Sequence, residues 1–233
     1  MRLGPGRGSQ TRRFPAVLSL LLLAATACGS GEEPQAGPPD DYLCTIAPGS
    51  PEEKLLLKVL RARSFTFGFN HRTPDFVEGM RINLRGEPET LVRDGLVQCS
   101  YYPNGDRGFG QATIEFRWSS PADAKKDAAV EGARSYDLTG SADVIGVSHD
   151  VSTDLYVPCR LSGELAERSK RVHLHATTSF TVNLGEVHDH GTQDQQMDFV
   201  YRMTRRATEV LGCENKPLKK DPVVKPVAGT GAS

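Results

Sequence analysis

Apolar and polar residues alternate with a period of two over much of the chain, the signature of strands that bury one face. Phe65, Phe67 and Phe69 alternate with Thr66 and Gly68, which predicts a strand with an aromatic inner face. Met80, Ile82 and Leu84 alternate with Arg81, Asn83 and Arg85, and read as a second half-buried strand. Leu96 to Tyr102 leads through Pro103-Asn104-Gly105, a turn signal, into Ala112 to Trp118, the clearest hairpin in the chain. There Ala112, Ile114, Phe116 and Trp118 face one way, and Thr113, Glu115 and Arg117 the other. Val147 to Val157 is predicted to be extended. Val172 to Leu184 alternates without a break, with Val172, Leu174, Ala176, Phe180, Val182 and Leu184 inward.

Three stretches switch to helical spacing. Ser50-Pro51-Glu52-Glu53 is a helix start, with Ser50 as N-cap, Pro51 at the first helical position and Glu53 positioned for a capping box. Leu55, Leu56, Val59 and Leu60 form its apolar stripe. Ser120-Pro121-Ala122-Asp123 repeats that chemistry and opens an alanine-rich helix expected to end near Ala133. A last helix runs from about Asp194, with Met197, Val200, Met203, Ala207, Val210 and Leu211 on its apolar side and Gly212 as its stop. Strands with one wet face favour antiparallel pairing, and helices between them must cover the apolar face. The expectation is an α+β fold: a mainly antiparallel sheet with helices packed on one face, and two disulfides.

The N-terminal 27 residues depart from this pattern. Arg2, Arg7, Arg12 and Arg13 precede an apolar run from Ala16 to Ala27 and small residues at 25–27, the three parts of a secretory leader. At about a dozen residues the run falls short of the roughly 20 that a membrane-spanning helix needs. Cys28 follows directly. The arrangement resembles the lipobox of bacterial lipoproteins, where the signal is cut before a cysteine that carries the lipid; Ala25 stands where that pattern usually has leucine. The resemblance implies fatty acylation of Cys28 and a tether to the outer, extracytoplasmic face of the bacterial cell membrane, by the general or the twin-arginine route. Gly29 to Pro39 (GSGEEPQAGPP) has the composition of a disordered stalk. Residues 1–27 are thus read as a signal peptide and 28–42 as the lipidated cysteine and linker. Residues 43–213 are read as one α+β domain. The Pro-, Lys- and Gly-rich residues 214–233 are read as a disordered tail.

Charge narrows the partners. The leader takes four arginines and no acids, leaving 24 basic residues against 29 acidic ones, a net charge near −5. That excludes the electrostatic footprint of a nucleic-acid binder, and it leaves the lipid as the contact with the membrane. Beyond the bilayer, the expected partner is an envelope protein or the cell wall.

Besides Cys28 there are four cysteines, far apart and with no C-x-x-C, in a chain bound for an oxidising space. That favours disulfides over zinc or redox chemistry. Of the three possible pairings we favour Cys44–Cys99 with Cys159–Cys213, since each clips a helix to a strand within one half of the chain. The nested pairing Cys44–Cys213 with Cys99–Cys159 is the rival.

Val157-Pro158-Cys159 at a strand end, the alternating run Val172 to Leu184, and a helix ending Ala207-Thr208-Glu209-Val210-Leu211-Gly212-Cys213 are similar to small secreted lipoproteins of actinobacteria. Cys99-Ser100-Tyr101 before a hairpin is similar to the same group. Most of that group has no assigned activity, so the resemblance implies anchor, fold and disulfide pairing, and supplies no catalytic residues.

Candidate chemistry is sparse. His173 and His175 lie two apart on one strand and so share its polar face, and His188 and His190 follow as His-Asp-His. If a turn brings the pairs together they can hold zinc or copper, which requires three or four ligands about 2 Å from the ion. The alternative is four solvated side chains, as for His71 and His149. Asp150, Asp154 and Glu186 are possible acid–base partners. There is no G-x-S-x-G, and the glycine-rich 105–110 stretch joins two strands, whereas a phosphate loop precedes a helix. Arg202, Arg205 and Arg206 read as the exposed face of the last helix. The expectation is a lipid-anchored, extracytoplasmic binding or interaction module with no catalytic residues and no cofactor beyond the acyl group on Cys28. A zinc- or copper-binding lipoprotein and an envelope enzyme with an unrecognised site are the alternatives.

Overall fold

The computed structural model describes residues 43–69, 72–86, 97–104, 110–138, 143–149, 152–181, 190–218 and 221–228. Residues 1–42, over which the signal peptide, the lipidated Cys28 and the linker are expected, lie outside the described residues, as do residues 105–109, Asp150, Val182, Leu184, Glu186 and His188.

Eight strands form one antiparallel sheet in the order β1-β2-β3-β7-β6-β5-β4-β8. They are β1 (Phe65–Phe69), β2 (Val97–Pro103), β3 (Gln111–Ser119), β4 (Arg134–Asp137), β5 (Ile145–Ser148), β6 (Ser152–Val157), β7 (His173–Thr181) and β8 (Lys225–Pro226). Among the described residues they are accompanied by the α-helices α1 (Pro51–Val59), α2 (Thr73–Arg85), α3 (Pro121–Ala128), α4 (Ala166–Ser169) and α5 (His190–Leu211). The fold is α+β, as the alternation predicts. The β2–β3 hairpin pairs as expected, Cys99 opposite Ile114 and Tyr101 opposite Ala112. The expected extended run from Val147 to Val157 is folded back on itself as the β5–β6 hairpin.

Local chemistry sets the helix starts. The Ser50 hydroxyl accepts from the Glu53 amide at 3.1 Å, while the Glu53 carboxylate accepts from Gly49, one residue before the cap. At α3 the box closes fully: Ser120 Oγ accepts from the Asp123 amide at 3.2 Å, and Asp123 Oδ2 from the Ser120 amide at 3.1 Å. This helix stops at Ala128, short of Ala133. Gly212, at φ 76°, terminates α5 in the left-handed conformation that glycine adopts without strain.

One expected strand is a helix. Met80, Ile82 and Leu84 satisfy a period of two, but Phe76, Met80 and Leu84 also repeat every four residues, and all three are buried on one side of α2. Ile82 points away and is 55% exposed. Thr73-Pro74-Asp75 supplies the start, with Asp75 accepting from the Arg72 amide at 3.3 Å. Pattern alone was ambiguous here; burial of the four-residue stripe decided it.

Register shows which residues share a sheet face. Phe116, Ala176, Leu155 and Gly146 lie in one row across β3, β7, β6 and β5. This is the core face. Phe76 of α2 meets Phe116 with ring centroids 5.6 Å apart, and Phe199 of α5 meets Tyr101 at 5.9 Å and Phe180 at 6.4 Å. The Trp118 indole donates to the Met80 carbonyl at 2.8 Å, so burying it leaves no donor unsatisfied. Two disulfides, Cys44–Cys99 and Cys159–Cys213, have Cα separations of 5.3 and 5.0 Å. The favoured pairing therefore holds and the nested one does not.

The region after Cys213 departs from expectation. Leu218 is buried, Arg202 and Arg205 of α5 reach Asp221 at 3.4 and 3.2 Å, and Lys225–Pro226 add β8 to the edge of β4. The Val227 amide donates to the Ser135 carbonyl at 2.9 Å. These described residues form a strap along α5. Tyr201 and Thr204 are buried beside the expected stripe, and Arg202 is largely covered. No helix among the described residues is long and apolar enough to cross a membrane.

Candidate functional site

The second face of the sheet carries the polar alternates, and part of it is sealed. Arg117 on β3 lies opposite His175 on β7, which lies opposite Tyr156 on β6. The next row holds Glu115, Thr177 and Asp154. The capping box turns α3 back over this face, so that Asp127 accepts a hydrogen bond from the Tyr156 hydroxyl. The core helices occupy one face as expected, and α3 adds a partial cover to the other.

Beneath that cover His175 is fully buried, and both its ring nitrogens are used. Arg117 Nε donates to Nδ1 at 3.0 Å. A guanidinium has no acceptor, so Nδ1 carries the lone pair and the proton of the neutral ring sits on Nε2. Nε2 faces Asp154 Oδ1 at 2.8 Å and Thr177 Oγ1 at 2.9 Å. The Thr177 hydroxyl donates in turn to Asp154 Oδ1 at 2.6 Å. Tyr156 stacks on the imidazole, with centroids 4.0 Å apart and planes 17° from parallel.

These contacts set the charges. Burial holds His175 below its ordinary range, outweighing the hydrogen bond and charge of Asp154, while Arg117 adds to the lowering. Burial alone would raise Asp154, but the hydrogen bonds from His175 and Thr177 hold it below the usual carboxylate value. Burial and then the bond to Asp127 raise Tyr156, which stays a neutral donor. A neutral imidazole thus lies between a fixed cation and a carboxylate.

Asp127, Asp154 and His175 each offer a ligand atom within 4.8 Å of the others, a spacing that a metal ion can span. The hydrogen bonds fill that space differently. The free lone pair of His175 is taken by Arg117, Nε2 carries hydrogen toward Asp154, and the guanidinium already supplies positive charge. A cation would have to break one of these contacts before it found a ring nitrogen.

The residues singled out from sequence are placed unequally. His173 shares the face of His175 but is half-buried and two residues along, and its Nδ1 is buried without a hydrogen-bond partner. His190 begins α5. His188, Asp150 and Glu186 lie outside the described residues, so the four-histidine arrangement cannot be assembled from what is described. His175, expected on a wet face, is instead sealed by α3. Asp154 and His175, separate candidates in the sequence, are paired by the fold. The signal available was parity: 154, 156, 175 and 177 are alternates on neighbouring strands, and the second capping box returns a helix over them. No protein-family model matches the chain, and no curated protein or solved structure is significantly similar to it.

Proposed function

We propose that this chain is a lipid-anchored binding or interaction module, displayed on the outer face of a bacterial cell membrane, and that it is not an enzyme. The observation that carries this reading is the use of the cysteines. Of five, four are consumed in the disulfides Cys44–Cys99 and Cys159–Cys213. Cys28 is left as the one with no cysteine partner in the chain, and it stands directly behind a basic-then-apolar leader. Disulfides suit an oxidising exterior, and a thiol at that position suits acylation. One acyl chain anchors weakly and two or more hold firmly, so the tether would be stable.

The sealed polar cluster supports a non-catalytic role. A general base must come within hydrogen-bond reach of the proton it takes, and His175 exposes no ring atom. The module's partner is read as an envelope protein or cell-wall component.

Expression of the full chain in a lipidating bacterium tests this. The wild type should partition into the membrane fraction, carry labelled palmitate and become extractable by detergent. Cys28→Ser should lose the label and appear in the soluble exported fraction. Equal membrane retention of the variant, or free thiols at the four downstream cysteines, would overturn the reading.

A further inference from the structure

Between the second half of α2, the turn at 162–165 and the end of α5 lies a cavity of about 180 Å³. Its floor is apolar: Leu161 and Leu165 are 5% exposed and Leu211 is fully buried. Two glycines border it, Gly163 at φ 65° and Gly212 at φ 76°. A β-carbon at either would meet no described atom within 4 Å, so the space a side chain would take there is open.

The mouth is charged. Arg81 and Arg85 stand one turn apart on α2, and Arg85 Nε donates to Glu164 Oε1 at 2.8 Å, so that pair cancels. The nearby helix ends are satisfied as well. Arg168 Nη1 donates to the carbonyls of Leu84 at 3.3 Å and Gly86 at 2.8 Å, closing α2. The amides of Gly212 and Cys213 donate back to the carbonyls of Glu209 and Thr208 at 3.1 and 3.0 Å, closing α5. The Arg81 guanidinium is exposed, and it has no hydrogen bond or ion pair among the described residues. One uncompensated cation thus stands at the rim of an apolar floor. Charge complementarity selects a single anion, and a guanidinium takes a carboxylate through two parallel hydrogen bonds. The floor calls for an apolar body, and an apolar cavity of about 150 Å³ accommodates a six-carbon ring.

We propose that this cavity binds a small monocarboxylate whose apolar body, of about six carbons, lies on the leucine floor while its carboxylate pairs with Arg81. An inorganic anion leaves the floor unused, a neutral molecule of the same body leaves Arg81 unpaired, and a long acyl chain outruns the cavity. The site belongs to the core-helix side of the sheet, opposite the sealed His175 cluster. It depends on contacts within the domain and stands whether or not Cys28 is acylated.

Leucine-methyl NMR of the full exported chain carrying Cys28→Ser, which needs no detergent, tests it with hexanoate as the probe. Hexanoate should shift the methyls of Leu161, Leu165 and Leu211 saturably. Hexanol should bind there at least about tenfold more weakly, because it lacks the charge-assisted bonds. Arg81→Gln should weaken hexanoate by about the same factor, and Arg81→Lys should retain more of the affinity. Arg81 is exposed, so both variants should keep the wild-type spectrum elsewhere in the core. The absence of a saturable shift at the three leucines would overturn the proposal. So would equal affinity for hexanoate and hexanol, or an affinity that Arg81→Gln leaves unchanged. Formate binding as tightly as hexanoate would reduce the site to a bare anion contact, and tighter binding of dodecanoate at the same methyls would refute the size limit; either result overturns the assignment.

Discussion

Asp154 and His175 lie 21 residues apart in the chain and 2.8 Å apart in the fold, joined across the β6–β7 pair with Thr177 closing the triangle. In Asp154→Ala the Nε2–H of His175 and the Thr177 hydroxyl lose their shared acceptor in a buried site. Leaving such donors unsatisfied costs about 2–3 kcal/mol. Urea unfolding of the variant should show a lowered midpoint with an unchanged slope, and a midpoint equal to wild type would remove the triangle from the stability account.

The same two groups give stability a pH dependence of definite sign. His175 is depressed, so between its folded value and the ordinary 6.5 the unfolded chain binds more protons than the folded one. Its contribution is complete above 6.5 and erodes as pH falls below. Asp154 is depressed as well, and its contribution is present above 3.8 and lost as pH falls further. Unfolding midpoints should therefore decline in two stages on acidification, the first near the histidine range. In His175→Gln the first stage should shrink and leave the part due to His173, which burial also holds below its ordinary value; an unchanged first stage would remove His175 from it.

Each disulfide closes a long loop, with separations of 55 and 54 residues. Loop entropy gives each about 4 kcal/mol of destabilisation in the unfolded chain. Cys44→Ser/Cys99→Ser and Cys159→Ser/Cys213→Ser should each lower the urea midpoint markedly. Reductant should destabilise the wild type by more than either pair alone. Insensitivity of the wild type to reductant under unfolding conditions would contradict this.

At Gly146 the sheet packs tightly against Leu138 and against Met197 of α5. A β-carbon there would stand 2.9 Å from Leu138 Cδ1 and 3.1 Å from both Met197 Sδ and Met197 Cε. Gly146→Ala forces a core methionine and leucine to shift, a strain of about 1–3 kcal/mol. Thermal unfolding should detect it, whereas Gly79→Ala on α2, where a β-carbon meets nothing within 4 Å, should be neutral or stabilising.

The strap after Cys213 covers the outer edge of β4 with only a two-residue strand. Truncation after Leu218 removes β8 together with the Arg202 and Arg205 contacts to Asp221, and bares the β4 edge. Open edges recruit further strands, so the truncated chain should shift toward dimers or larger species in light scattering as concentration rises. Asp221→Ala alone should change stability by less than about 1 kcal/mol, since that carboxylate is 77% exposed. A truncated chain that stays monomeric at all concentrations would show that the edge needs no cover.

Local pattern was enough wherever one element's chemistry speaks for itself. Alternation at 112–118, and within the run 172–184 over the described His173–Thr181, specified strands, Ser50 and Ser120 specified helix starts, and Gly212 specified a stop, because each depends on neighbours within a few residues. Cysteine pairing was also readable, since each bridge joins elements in the same half of the chain. Tertiary structure decided what depends on which surfaces meet. Residues 80–84 satisfied two periodicities, and only the packing of Phe76, Met80 and Leu84 against the sheet selected the helix. His175 sits on a polar alternate, where sequence parity predicts water, and the return of α3 over that face sealed it. Arg117, Asp154 and Thr177 then became its partners because three strands stand in register, a non-local arrangement that no one-dimensional pattern encodes.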